Sequence, residues 1–294
     1  MKKMNLKRDS YIVLVNYCNP DLTIACIESL QKAGVKTEQI IVVDNASSDN
    51  SVSILNGIDG IVLIISEKNG GFSYGNNLGI KYAVSKNCSS VILLNNDTVV
   101  AEDFFEQIFK GAENCVAVPK IYYYFDPKIL WYAGGQIDYM RGRQVHFGEN
   151  EKDGARFSIE KKVDYATGCC MMIPRSVIDE VGFWDEKYLM YWEDMDYSLR
   201  LKEAGIQICY LPNAKIWHKV GMSGGSQSKM AIYYSNRNRF YIIKRYDFGV
   251  FARIYTVLTR AMKYICSFIK GNNDRVIIKA WHDYRKRIMG KVDI

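Results

Sequence analysis

The sequence predicts an α/β protein, a mostly parallel sheet flanked by helices, with a helical extension at its C-terminus. Three observations carry this expectation. Short continuous apolar runs alternate with helical periodicities through roughly the first hundred residues. Two of those runs end in polar clusters, Asp44-Asn45 and Asn95-Asn96-Asp97, where the carboxyl edge of a parallel sheet would lie. Beyond Gly224-Gly225-Ser226 the composition turns helical and basic, with no proline after Pro212.

Residues 11–15 form an unbroken apolar run, as a strand buried on both faces should. Pro20-Asp21 opens a helical pattern through Ile24, Ile27 and Leu30 that Gly34 stops. Residues 40–43 read as a second buried strand, and Asp49 as the cap of a short helix. Residues 61–65 give a third strand, 76–85 a helix, and 91–94 a fourth strand. Strand and helix in alternation imply right-handed crossovers, a Rossmann-like arrangement. Residues 119–164, rich in Tyr, Gly and Arg, read as loops and short strands over the sheet. A buried strand is expected over 166–174, a helix over 194–204 ending at Gly205, and a strand over 206–211.

The chain has 294 residues, 48% hydrophobic and 24% charged, which excludes wholesale disorder. No apolar run approaches the ~20 residues of a membrane-spanning helix. The basic N-terminus precedes an apolar stretch too short for a signal peptide. The eight cysteines include no Cys-x-x-Cys pair, and Cys169 adjoins Cys170. That pattern excludes a zinc site and a secreted disulfide framework, and points to the reducing cytoplasm. The net charge of +7 is uneven: from Ala231 on, 14 Lys and Arg stand against 4 Asp and Glu, while the preceding residues carry 25 against 28. The division is therefore a body over 1–230 and a basic extension over 231–294, whose charge suits an anionic partner.

Several clusters could do chemistry. Asp44 at a strand end could accept hydrogen bonds from a base or ribose, or merely cap the polar turn 44–49. The first strand lacks the Gly-x-Gly-x-x-Gly fingerprint and a phosphate-binding Gly-x-x-x-x-Gly-Lys loop, which excludes the common nicotinamide and P-loop enzymes. The Gly-rich stretch 69–79 lets backbone approach a ligand, or only turns; Asn76 and Asn77 at a helix start suggest one cap and one ligand contact. Asn95-Asn96-Asp97 offers the hard oxygens that suit a divalent cation on a diphosphate, or caps a helix. Glu193, Asp194 and Asp196 are three carboxylates in four residues. Neighbouring acids raise one another's pKa and make one a general base; the plain alternative is a solvated turn with Asp196 and Arg200 paired. His218 could complete a metal site with Asp97, or be structural.

In this order the pieces resemble the family 2 glycosyltransferases of the A-type glycosyltransferase fold, close to their rhamnosyltransferase-like branch. The matching residues are Val42-Val43-Asp44-Asn45-Ala46-Ser47-Ser48-Asp49, Asn69-Gly70-Gly71-Phe72 with Asn76, Leu94-Asn95-Asn96-Asp97-Thr98, Gly168 with Phe183-Asp185-Glu186, Trp192-Glu193-Asp194-Asp196 with Arg200, His218, and Tyr234-Arg237-Asn238. The likeness spans residues 11–290. It implies a nucleotide-sugar-binding catalytic domain over 1–230. It implies an inverting transfer, with L-rhamnose from dTDP-rhamnose as the first choice of donor. UDP-hexose, UDP-N-acetylhexosamine and UDP-galactofuranose are alternatives. The acceptor would be a saccharide, lipid-linked in bacterial relatives, in cell-surface polysaccharide synthesis.

The resemblance also assigns roles. Asp44 would contact the base, with Asn45, Asn69, Gly71, Phe72 and Asn76 around the nucleotide and sugar. Asn96 and Asp97 would lie at the diphosphate, Asp97 holding Mg²⁺ or Mn²⁺ with His218. Asp194 would be the catalytic base, beside Glu193, and Arg237 would add charge near the phosphates or acceptor. The motif's first Asp is Asn95 here, one anionic ligand fewer. Inverting transfer needs a base for the acceptor hydroxyl and positive charge at the leaving diphosphate. Two rivals remain: a sugar nucleotidyltransferase, which would want a Gly-rich basic loop where Asn16-Tyr17-Cys18-Asn19-Pro20 stands, and a non-catalytic module.

Over 251–269, at ~100° per residue, Arg253, Arg260, Lys263 and Lys270 share one side and Phe251, Ile254, Leu258, Ala261, Ile265, Phe268 and Ile269 the other. Such a helix either packs on the catalytic domain or lies on anionic lipid. The expectation is a cytoplasmic enzyme, peripheral on the inner face of the cell membrane, with no nucleic-acid partner and with homodimerisation left open.

Overall fold

The computed structural model describes residues 9–110, 115–221, 228–269 and 275–294. The apolar runs of the first hundred residues become strands β1 (Ser10–Asn16), β2 (Ile40–Asp44), β3 (Val62–Ile65) and β4 (Ser90–Leu94). They lie parallel in the order β3-β2-β1-β4. Ile12, Val13, Leu14, Ile40, Ile41, Val91 and Ile92 are fully buried, each burial contributing about 1.5–3 kcal/mol. The crossovers are α1 (Pro20–Lys32), α2 (Ser51–Asn56) and α3 (Gly71–Ser85). Asp49 accepts the Ser51 N–H at the start of α2.

Beyond β4 the sheet becomes mixed. The chain continues through β5 (Thr98–Val100), helix α4 (Phe104–Gln107), β6 (Cys115–Tyr123), β7 (Ile129–Tyr132), β8 (Gly135–Asp138), β9 (Arg143–His146), β10 (Glu151–Lys152) and β11 (Lys161–Val163). Then come β12 (Cys170–Pro174), α5 (Arg175–Val181), α6 (Glu193–Glu203) and β13 (Gln207–His218). β12 runs antiparallel to β4, while β13 runs parallel to β6 and antiparallel to β5 and β11. β8 and β9 form a separate hairpin.

Four local expectations change. The helix expected from 76 begins at Gly71, so Asn76 and Asn77 sit in its second turn and cap nothing. Thr98 opens no helix: with Val99 and Val100 it is a β-branched run that pairs with Ile216, Trp217 and His218 of β13. The region 119–164 is more regular than its composition suggests, because β6 is buried along nearly its whole length. Its Lys120 is accommodated by Asp153, which accepts from Nζ at 2.9 Å through both oxygens, and from Tyr122 Oη at 2.6 Å. Cys115 and Cys209, on the paired β6 and β13 with Cα atoms 6.1 Å apart, join as one disulfide, a cross-link the cysteine spacing did not indicate.

The extension is three helices, α7 (Lys229–Arg245), α8 (Gly249–Ile269) and α9 (Arg275–Arg285). α8 packs through Ala252 and Thr256, and Arg260 Nη1 donates to Asn236 Oδ1 of α7 at 3.1 Å. Its apolar side faces outward: Phe251, Ile254, Leu258, Ile265 and Phe268 are all more than half exposed. Packing of that face on the catalytic body is thereby excluded. Among the described residues, no helix is long and apolar enough to cross a membrane.

Candidate active site

The strand ends at the carboxyl edge of the parallel half are tied by polar side chains. Asn16, at the end of β1, donates through Nδ2 to Asp44 Oδ2 at 2.9 Å. Thr23 Oγ1 donates to Asn16 Oδ1 at 2.8 Å and accepts from Asn96 Nδ2 at 2.9 Å. The chain Asp44–Asn16–Thr23–Asn96 thus crosses from β2 to the turn after β4. Asp44 is fully buried and also accepts from the Ser47 N–H at 2.9 Å and its hydroxyl at 2.6 Å. Asp44 and Asn96 therefore brace the rim, which is the polar-turn alternative for Asp44. Sequence reasoning missed Asn16 and Thr23; two polar residues flanking an apolar strand and opening a helix were the available signal.

The Gly-rich stretch is held by its own asparagines. Asn45 Nδ2 donates to Asn69 Oδ1 at 3.2 Å and to the Gly71 carbonyl at 3.1 Å, and Asn69 Oδ1 accepts the Gly71 N–H at 3.0 Å. Gly71 has φ +88°, and a Cβ there would lie 2.2 Å from the Leu189 carbonyl oxygen. The close approach expected here is to a ligand; the contact this glycine makes is with the 189 loop. The Phe72 N–H donates to the same carbonyl at 2.7 Å, and the Phe72 ring meets Trp184 edge-on at 5.7 Å. Asn76 Nδ2 donates to the Phe72 carbonyl at 2.9 Å. Asn77 is a clamp: Nδ2 donates to the Trp184 carbonyl and to Glu186, and Oδ1 accepts the Trp184 N–H.

Asp97, which is buried, sits on the turn between β4 and β5, and β13 brings His218 to it, Nε2 3.1 Å from Oδ1. Asn95 Oδ1 on the same turn is buried without a hydrogen-bond partner among the described residues, as is His218 Nδ1. An amide oxygen, a carboxylate and an imidazole fit a divalent cation whose remaining ligands come from a substrate diphosphate. They do not make an all-protein cage: no group of three His, Cys, Asp or Glu could hold a metal among the described residues.

Asp194 is linked to the same turn through backbone. The Asn95 N–H donates to the Cys169 carbonyl at 2.8 Å, and the adjoining Gly168 N–H donates to Asp194 Oδ2 at 3.1 Å. One peptide link therefore separates the Asp97 turn from Asp194. Tyr165 Oη donates a short hydrogen bond to Asp194 Oδ2, and the Met195 N–H donates to Oδ1 at 2.8 Å. Burial raises the Asp194 pKa, and these three donors pull it back. Glu193 lies beside it, buried, with Oε2 unpartnered among the described residues. Burial first, then the Asp194 charge, lifts Glu193 well above the carboxylate range, so Glu193 holds its proton while Asp194 is the group that ionises. Asp196 is structural, taking Arg200 Nε at 2.9 Å, Tyr188 Oη at 2.9 Å and Tyr246 Oη at 2.8 Å.

A row of rings runs from His218 to Tyr165. Trp131 meets His218 and His146 edge-on, each at 4.7 Å, and His146 stacks on Tyr165 at 5.7 Å. Burial pushes the His146 imidazole down to about 4, so it is neutral at physiological pH. No partner for His146 was readable along the chain, because Trp131 and Tyr165 lie on another strand and a loop.

Arg237 corrects an expectation. It is fully buried; Nε donates to Asn238 Oδ1, Nη1 to the Gly290 carbonyl, and Nη2 to the Lys187 and Tyr188 carbonyls. Four of its five N–H groups are spent on the protein, so it is not a phosphate ligand.

The sequence profile of glycosyl transferase family 2 matches residues 11–182. A low-salt glycan biosynthesis hexosyltransferase, Agl10, of Haloferax volcanii is 28% identical over 240 residues, 79% of this chain and 74% of that protein. The dTDP-rhamnosyl transferase RfbF of Shigella flexneri is 24% identical over 248 residues, 80% of each chain. Among solved structures, GalNAc-T7 with UDP, GalNAc and Mn²⁺ superposes with a TM-score of 0.62 at 15% identity. That match covers 80% of this chain but only 48% of the other, and establishes the A-type glycosyltransferase fold. With the profile spanning more than half its length, the chain belongs to glycosyl transferase family 2 and is a glycosyltransferase.

Proposed function

We propose that this glycosyltransferase inverts the anomeric centre as it moves L-rhamnose from dTDP-L-rhamnose to a lipid-linked saccharide in bacterial cell-surface polysaccharide synthesis. The observation that supports the reading is that one stretch of backbone, Gly168–Cys169, bonds both Asp194 and the turn that carries Asp97: the Gly168 N–H donates to Asp194 and the Cys169 carbonyl accepts from the Asn95 N–H. Asp194, half-buried and of raised pKa, takes the acceptor hydroxyl proton as the new bond forms. No covalent nucleophile is required for inversion. The departing diphosphate is received at the Asp97 end, where Asn95, Asp97 and His218 would hold Mg²⁺ or Mn²⁺. That ion supplies Lewis-acid stabilisation of the leaving charge. Gly168 and Tyr165 keep Asp194 ionised and aimed.

The donor choice is supported by the similarity to a dTDP-rhamnosyl transferase. The lipid-linked acceptor and the membrane surface are supported by α8, whose apolar residues face outward on a basic extension. The test is transfer from dTDP-rhamnose, UDP-galactose, UDP-N-acetylglucosamine and UDP-galactofuranose, with and without Mn²⁺, by the parent chain and Asp194→Asn. The expected result is transfer from dTDP-rhamnose that Asp194→Asn abolishes, with thermal stabilisation by the donor retained. Turnover by Asp194→Asn removes that residue from the role; preference for a UDP sugar replaces the donor.

A further inference from the structure

We propose that the groove between α7, α9 and the 186–187 loop binds the phosphate of an anionic membrane lipid. The groove measures about 830 Å³, within the ~300–1,000 Å³ of small-molecule sites. Lys187, Lys244, Arg245 and Arg287 converge on it. Arg245 is committed to Asp185 at 2.8 Å and Asp196 at 3.1 Å. Lys187, Lys244 and Arg287 have no carboxylate partner among the described residues. The single acid on the wall, Glu186, accepts from Asn77 at 2.8 Å. Three unpaired cations around one hollow repel each other, so the hollow favours an anion.

The rest of the lining is apolar and rigid. Tyr284 stacks on Phe240 at 5.4 Å, and Tyr241 meets Tyr188 edge-on at 5.8 Å. Such walls suit the glycerol and upper acyl carbons behind a phosphate rather than a fully hydrated ion. The surrounding surface matches. Trp281 and Ile278 of α9 and Ile288 beyond it are exposed, as is the apolar side of α8 on the same extension. The groove also shares its wall with the braced turn that precedes α6, because Gly290 and Lys187 supply carbonyls that Arg237 holds. This inference rests on the membrane-docking part of the reading above.

The test uses the full chain and monomeric dihexanoyl phosphatidylglycerol, with dihexanoyl phosphatidylcholine and inorganic phosphate as parallel ligands, by titration calorimetry. A soluble lipid makes the groove testable apart from vesicle docking. Saturable binding of phosphatidylglycerol is expected, weakened roughly 10- to 30-fold in Lys244→Ala/Arg287→Ala. The charge-matched Lys263→Ala/Lys291→Ala should bind as the parent does. Both pairs are exposed, and unchanged Tm values check that each variant is folded. Equal loss in both double variants, or no saturable binding, overturns the site. Inorganic phosphate binding as tightly as the lipid overturns the lipid assignment. Failure of vesicle flotation alongside retained binding of the soluble lipid overturns docking but not the groove.

Discussion

Replacing Tyr165 with Phe tests how Asp194 is tuned. The substitution removes one hydroxyl and keeps the ring that stacks on His146 and meets Tyr132 at 6.5 Å. Asp194 then loses the Tyr165 donor and keeps the Gly168 and Met195 N–H groups at 3.1 and 2.8 Å. A hydrogen bond to a charged group contributes about 1.5–3 kcal/mol. At 1.36 kcal/mol per pKa unit, its loss raises the Asp194 pKa by about 1–2 units. The sign is fixed, because the lost donor favoured the ionised form while burial, which favours the neutral form, remains. The base works only when ionised, so activity fails at a higher pH as the solution is acidified. The assay is kcat and kcat/KM for sugar transfer across pH. The acid limb should move up by about 1–2 pH units, with the plateau largely kept and Tm little changed. An acid limb that stays in place refutes the reasoning, as does a plateau collapse without any shift.

Glu193→Gln addresses stability. The raised folded-state pKa means that the Glu193 contribution is present below its unfolded value, ~4.3, and is lost as pH rises through the folded value. The Tm advantage of Glu193→Gln should therefore grow from about pH 4 to pH 8, and a constant difference would count against a buried, protonated Glu193. Gly71→Ala places a Cβ 2.2 Å from the Leu189 oxygen at φ +88°, and should cost ~2 kcal/mol or more in urea unfolding. A parental midpoint would show that the 71–189 contact relaxes freely. Arg237→Ala strands the carbonyls of Lys187, Tyr188 and Gly290, and should lower stability by ~3 kcal/mol or more. Donor affinity of its folded fraction should be unchanged; a large selective loss of donor binding would restore Arg237 to the phosphates.

What the sequence disclosed follows from which interactions are local. β1, β2, β4 and α1 were readable because a strand buried on both faces writes an unbroken apolar run, and α1 carries its Pro at the start and Gly beyond its end. β6 was hidden because its interior holds Pro119 and Lys120, and the buried Lys120 is partnered by Asp153 more than thirty residues away. Among site residues, Asp97, His218, Asp194 and Glu193 were legible as residue types that burial makes improbable without a purpose. Their partners were not: Tyr165, Trp131 and His146 meet only across the fold. Asn45, Asn69 and Asn76 were visible as a cluster, yet their amides bond the loop itself, a distinction that only geometry can draw.

The segment entering α6 shows why the basic extension is continuous with the catalytic body. Leu189, Tyr191 and Trp192 all adopt positive φ, 64°, 64° and 76°, and none is glycine. Such conformations cost about 1–3 kcal/mol each and persist only where neighbours over-determine them. Those neighbours are identifiable. Asn238 Nδ2 donates to the Tyr188, Met190 and Tyr191 carbonyls at 2.9, 3.0 and 2.9 Å. Arg237 holds the Lys187 and Tyr188 carbonyls, and Gly71 with Phe72 presses on Leu189 from the Gly-rich side. Each bond from Arg237 contributes about 1.5–3 kcal/mol and each neutral bond about 1, enough together to offset three strained residues. The strained turn delivers Glu193 and Asp194 directly into α6, so the aim of Asp194 depends on α7 as much as on the sheet. A cut at residue 230 would remove Arg237 and Asn238 and leave that turn without the bonds that hold it.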